Sequence, residues 1–236
     1  MNSIVENLSH VQLRIRTACK QHQRDFSSVR LIAVSKTKPA TDVATAFNAG
    51  QVDFGENYLQ EAALKVETLP AAQWHFIGAI QSNKTREIAE RFSYVHGVST
   101  LKVAKRLSDQ RPRSLPPLGV FFQVNIDDEA TKSGTSAEQL VGLIKACINL
   151  PQLSLLGLMA IPRASNDSLT QRRQFRKLAV LRQSIATQLD LIDFKELSMG
   201  MSNDLEAAIA EGATWVRIGT AIFGPRNTNT LSTTIT

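Results

Sequence analysis

A chain of 236 residues, 43% of them hydrophobic, is long enough to bury the core of one large α/β domain. Its 27 basic and 21 acidic residues leave a formal charge of +6, which suits solubility or a small anionic ligand and does not by itself indicate nucleic acid. The two cysteines, Cys19 and Cys147, lie far apart with no His or Cys at ligand spacing, which argues against a disulfide framework or a zinc site and fits a reducing cytoplasm.

The first residues, to about position 24, carry Ile4, Val5, Leu8, Val11 and Ile15 near helical spacing with charges between them. That pattern predicts an amphipathic opening helix and neither a signal peptide nor a membrane span. Short apolar runs then alternate with longer amphipathic segments. The runs that read as strands are 29–35, 52–56, 74–78, 94–98, 119–126, 153–161, 194–200 and 215–221. Helical patterns fill the gaps: "PATDVATAFNAG" has a proline near its start and Gly50 at its end, and Thr135 or Ser136 can cap "TSAEQLVGLIKACINL". "RPRSLPP" (111–117) reads as a loop entering the fifth strand. Arg172, Arg173 and Arg176 of "QRRQFRK" lack interleaved aromatics and read as a solvated helix face, not a nucleic-acid platform.

Eight β-then-α units without a linker predict a single (β/α)8 TIM-type barrel over residues 1–225, with an extra N-terminal helix. The Thr-rich residues 226–236 are expected to form a disordered tail. In such barrels chemistry gathers at the carboxyl ends of the strands.

Lys36 stands at the first of those ends, in phase with Ile32 and Val34, so it is expected to point inward. A desolvated amine must be paired, lose its proton or be converted to an imine; the alternative is a lysine that snorkels out from the strand end. Lys38 reads as solvated. "SMGMSNDL" and "RIGTAIFG" offer Gly200, Ser202, Asn203, Gly219 and Thr220 after the seventh and eighth strands, where barrels often bind phosphate. Ordinary helix capping by Ser202 or Asn203 is the competing reading. Arg217 interrupts an apolar strand and needs either a carboxylate such as Glu56 or a ligand acceptor. Asn57 can serve the same mouth or cap the next helix, and His75, early in its strand, reads as a satisfied core histidine. An amine beside a phosphate site suits pyridoxal 5'-phosphate, but a sugar-phosphate Schiff-base enzyme needs the same two features.

Together "AVSKTKP", "FGENYLQE", "WHFIGAIQSNK", "GLMAIP", "LSMGMSND" and "VRIGTAIFG" resemble the pyridoxal phosphate homeostasis protein family, relatives of the alanine racemase N-terminal barrel, over about residues 30–225. The resemblance implies pyridoxal 5'-phosphate held as an internal aldimine on Lys36. It implies Ser202, Gly219 and Thr220 at the phosphate, Arg217 at the pyridine nitrogen and Asn57 near the ring. It also implies a cytoplasmic protein that buffers and delivers the cofactor without established catalysis. Related racemases add a C-terminal domain with a catalytic tyrosine, whereas the tyrosines here are Tyr58 and Tyr94. The expected partners are the cofactor and pyridoxal phosphate-dependent apoenzymes, with no nucleic acid, no membrane and a monomeric chain. The rival expectations are a racemase-like enzyme using the same lysine and an interaction or nucleic-acid-binding protein.

Overall fold

The computed structural model describes residues 3–127 and 134–225. The tail expected at 226–236 lies outside them. Helix α1 (Ile4–Gln21) opens on a capping box, in which the Ser3 hydroxyl accepts from the Glu6 N–H and the Glu6 carboxylate accepts from the Ser3 N–H. It buries Leu8, Val11, Ile15, Ala18 and Cys19 on one face.

Strands and helices then alternate: β1 (Arg30–Val34), α2 (Ala40–Asn48), β2 (Asp53–Glu56), α3 (Leu59–Thr68), β3 (Gln73–Phe76), α4 (Thr85–Arg91), β4 (Tyr94–Val98), α5 (Leu101–Gln110) and β5 (Leu118–Gln123). The second half continues with α6 (Ala137–Cys147), β6 (Leu153–Met159), α7 (Ser168–Gln188), β7 (Glu196–Ser198), α8 (Leu205–Ala210), β8 (Trp215–Ile218) and α9 (Thr220–Phe223). The strands form a closed, parallel barrel in chain order, and β8 returns to β1 with Ile32 opposite Arg217. The (β/α)8 barrel and its N-terminal helix are as expected.

Apart from β4, which matches its run at 94–98, the strands are shorter than the apolar runs that announced them. Of 194–200 only Glu196–Ser198 is strand, and Gly200 turns the chain at φ +93°. A Cβ there would lie 2.5 Å from that of Ala208, so the turn needs glycine on two counts. Ser136 caps α6 by accepting from the Gln139 N–H, as the sequence suggests.

Period-two alternation divides the core into two layers. One layer lies between barrel and helices and includes Phe54, Phe122, Leu158 and Val216. The other fills the barrel, where Ile32, Phe121, Met159 and Trp215 pack with Val34, Tyr94 and Leu156. No helix among the described residues is long and apolar enough to cross a membrane.

Candidate functional site

Lys36 follows Ile32 and Val34 on the inward phase of β1, at the carboxyl-terminal mouth. The next residue, Thr37, adopts φ +62°, a region β-branched residues rarely enter, and donates its N–H to Glu61 at 2.8 Å. Behind the turn, the Lys65 ammonium donates to the Ser35 carbonyl at 2.8 Å and to Glu56 Oε1 at 2.7 Å, while the Ser35 hydroxyl donates to the same carboxylate oxygen at 2.6 Å. Glu56 is fully buried, and desolvation raises its pKa above the usual carboxylate value against the opposing pull of Lys65. The peptide that presents Lys36 is thus fastened from outside the barrel.

A cavity of about 320 Å³ opens at this mouth. Its wall includes Lys36, Asn57, Ser202, Arg217, Gly219 and Thr220, so all six expected site residues converge on one space. The volume lies at the small end of ligand pockets, adequate for one ring bearing an anionic group. A larger cavity of about 500 Å³ lies around Tyr94, Arg111 and Pro116 and shares none of the six.

Arg217 is buried, and burial pulls its pKa down to about 10, partly opposed by Asp204. Its partner is not Glu56, one of the alternatives the sequence left open. Glu56 follows Gly55 on β2 and faces α3, whereas Arg217 faces the barrel interior and donates to Ser198 Oγ at 2.7 Å and to the Ala160 carbonyl at 3.1 Å. A buried guanidinium held by neutral oxygens beside a cavity suits a ligand acceptor. Asn57 does not cap α3, whose N-cap is Tyr58 with no side-chain cap bond, and its buried Oδ1 has no partner. That atom is available to a ligand donor.

Neither Ser202 nor Asn203 caps α8, which begins after Asp204 with no side-chain cap bond, so the capping alternative fails. The Ser202 carbonyl instead accepts from Arg14 of α1 at 3.0 Å. Desolvation raises the Asp204 pKa, and its carboxylate accepts from the Met201 N–H within its own loop. Gly219 passes close to β1, where a Cβ would sit 3.2 Å from the Val34 carbonyl oxygen. Thr220 and Ala221 then open α9, whose first N–H groups have no intrahelical acceptor. Hydroxyls at 202 and 220, small backbone at 219 and a lysine across the cavity make a donor-rich cradle that fits an aldehyde carrying a phosphate.

Sequence reasoning missed the loop after β6. Ile161, Pro162, Ala164, Ser165 and Asn166 form one wall, with Gln171 of α7 behind them. Gln171 donates to the Ser165 carbonyl at 2.7 Å and so fixes that loop. Ala164, Ser165 and Asn166 are small, uncharged and past the end of a strand, so they give no anomaly to notice. His75 is satisfied by Asp53 and His96, as expected of a core histidine. Lys38 donates to the Pro225 carbonyl at 2.7 Å, a partner not expected from the sequence. Arg172 and Arg176 are not simply solvated: both pair with the buried Glu211 at 2.7 Å.

The family model described as "Alanine racemase, N-terminal domain" matches residues 7–227. The pyridoxal phosphate homeostasis protein of Pseudomonas aeruginosa is 54% identical over 229 residues, covering 96% of this chain and 97% of the relative. Its Escherichia coli K12 counterpart is 47% identical over 232 residues, covering 96% and 98%. The solved structure of PipY from Synechococcus elongatus with PLP bound superposes with a TM-score of 0.81 at 33% identity, covering 94% of this chain and all (100%) of that one. Alanine racemase from Corynebacterium glutamicum shares the fold alone, at a TM-score of 0.69 and 14% identity over 94% of this chain and 62% of that one. With its Lys36-bearing mouth and near-complete alignment to these relatives, the chain belongs to the pyridoxal phosphate homeostasis protein family, built on the alanine racemase N-terminal barrel.

Proposed function

We propose that this protein captures pyridoxal 5'-phosphate on Lys36 and serves cytoplasmic cofactor homeostasis by holding and passing on the cofactor, without turning over an amino acid. The observation that carries the reading is the convergence of Lys36, Asn57, Ser202, Arg217, Gly219 and Thr220 on one cavity. When bound, the cofactor supplies an aldehyde that a primary amine captures with loss of water. Ser202, Gly219 and Thr220 would hold the phosphate, Arg217 would serve the pyridine nitrogen and Asn57 would lie near the ring.

A fixed cation at the ring nitrogen disfavours ring protonation and weakens the ring as an electron sink. The carboxylate on the cavity wall, Asp204, already accepts from the Met201 N–H, and neither tyrosine is placed as a second acid–base group. Tyr58 is 55% exposed and lines a neighbouring cavity, and Tyr94 stacks on His75 inside the barrel. Neither reaches the wall that carries Lys36. The protein acts as a monomer, needs no nucleic acid or membrane, and delivers the cofactor to pyridoxal phosphate-dependent apoenzymes.

Purified protein titrated with pyridoxal 5'-phosphate is expected to develop a visible absorption band that Lys36→Ala abolishes. Incubation with amino acids in heavy water is expected to leave their α-hydrogen unexchanged beyond one equivalent. Multiple-turnover exchange dependent on Lys36 would instead establish a racemase-like enzyme.

A further inference from the structure

A line of buried polar side chains crosses the barrel from the amino-terminal rim to the cofactor mouth. Asp53, on β2, lies 3.0 Å from His75 Nε2; His75 Nδ1 lies 3.0 Å from His96 Nε2; His96 Nδ1 lies 2.8 Å from Ser198 Oγ; and Arg217 Nη1 donates to that hydroxyl at 2.7 Å. His75, His96 and Ser198 are fully buried, while the Asp53 side chain keeps 19% exposure at the rim.

The two ends dictate the direction of every bond. The guanidinium can only donate, so Ser198 accepts from it with one lone pair, and His96 Nδ1 is the acceptor within reach of its hydroxyl proton. His96 then donates from Nε2 to His75 Nδ1, and His75 donates from Nε2 to Asp53. An ionised Asp53 demands the same order from the other side. Both histidines come out neutral with the proton on Nε2, and every ring nitrogen and the Ser198 hydroxyl have a partner. A proton added to His96 would turn a donor toward Ser198, which already accepts from Arg217, and strand the hydroxyl proton.

The surrounding charges agree with that state. Desolvation lowers the pKa of both histidines; for His75 the pull of Asp53 opposes it and Arg30 adds to it, and for His96 His75 and Arg217 add to it. Asp204 faces Arg217 from the β7–α8 loop, and Glu196 of β7 is occupied by the Trp215 indole N–H at 2.9 Å. The line thus joins a buried cation to a carboxylate on the opposite rim.

We propose that Asp53, His75, His96 and Ser198 form one directed hydrogen-bond chain that fixes Arg217 against the cofactor ring, making Asp53 a positioning residue for a site at the other end of the barrel. This rests on the assignment of the mouth to pyridoxal 5'-phosphate. Asp53→Asn removes the charge and retains an acceptor; Asp53→Ala removes both.

Nitrogen-15 spectra of the imidazoles in ligand-free protein are expected to show His75 and His96 as neutral Nε2–H tautomers at about pH 8 that take up protons only below the range of a free imidazole, with His96 shifting in Asp53→Asn. In the loaded protein, both variants are expected to move the pH midpoint of the cofactor absorption band, and Asp53→Ala to weaken cofactor binding about fivefold, the scale of one net hydrogen bond. Histidines that titrate independently near 6.5, or variants that melt earlier yet show unchanged cofactor spectra and affinity, would overturn the chain while leaving the site assignment intact. Absence of any cofactor band in the unsubstituted protein would overturn the site assignment and the positioning role with it.

Discussion

Lys65 and Glu56 lie behind Lys36, not beside it, and burial penalises both charges, a cost that their pairing and the Ser35 hydrogen bonds offset. Glu56 is 0% exposed and Lys65 5%, and each depends on the other and on Ser35. Removing one partner of such a pair leaves the other charge stranded, which costs about 3–5 kcal/mol. Lys65→Met is therefore expected to lower stability by about 3 kcal/mol in urea unfolding, and the double variant with Glu56→Gln to recover part of that loss. At this scale the sequence was informative where a charge ended or interrupted an apolar strand, as at Lys36 and Arg217. Partner choice was harder to read. Arg217 and Glu56 are both inside the fold, but strand alternation sends them to opposite faces of the barrel wall, which single-strand patterns do not compare. His75 and His96 each look like ordinary core residues in separate strands, and their alignment exists only once β3 and β4 are paired.

Among the elements, α1 is more than an addition to the barrel. It packs on α8 and α9, the helices that follow the two loops proposed to hold the phosphate. Arg14 holds Glu206 of α8 and the Ser202 carbonyl, and Asn7 donates to the Ile222 carbonyl of α9 at 3.0 Å. The Arg14–Glu206 pair is 38% and 46% exposed, so its own contribution is at most about 1 kcal/mol. Arg14→Ala is expected to weaken cofactor binding by about threefold to fivefold with little change in melting temperature, measured by equilibrium titration and thermal unfolding. The opening helix was legible from its apolar spacing, but its target was not: contacts between residues 14 and 202 come from barrel closure, which brings β8 back to β1.

For the molecule as a whole, eight apolar runs of strand length separated by helical segments were enough to anticipate the barrel, because period and count are local properties. The buried histidines give the assembled barrel a pH dependence. Their folded pKa values lie below the ordinary 6.5, so the unfolded chain binds protons first as pH falls. Their stabilising contribution is complete above about pH 6.5 and declines below it, by about 1.4 kcal/mol per pH unit for each histidine until its folded value is reached. Melting temperature is expected to fall between pH 7 and 5, and His96→Gln to flatten that slope.

The central claim is that the Lys36 amine captures the aldehyde of pyridoxal 5'-phosphate. Borohydride reduction of the loaded protein, followed by mass spectrometry of its peptides, tests it most directly. A reduced phosphopyridoxyl group on the peptide containing Lys36 is the expected result; the label on another lysine, or none at saturating cofactor, would contradict it.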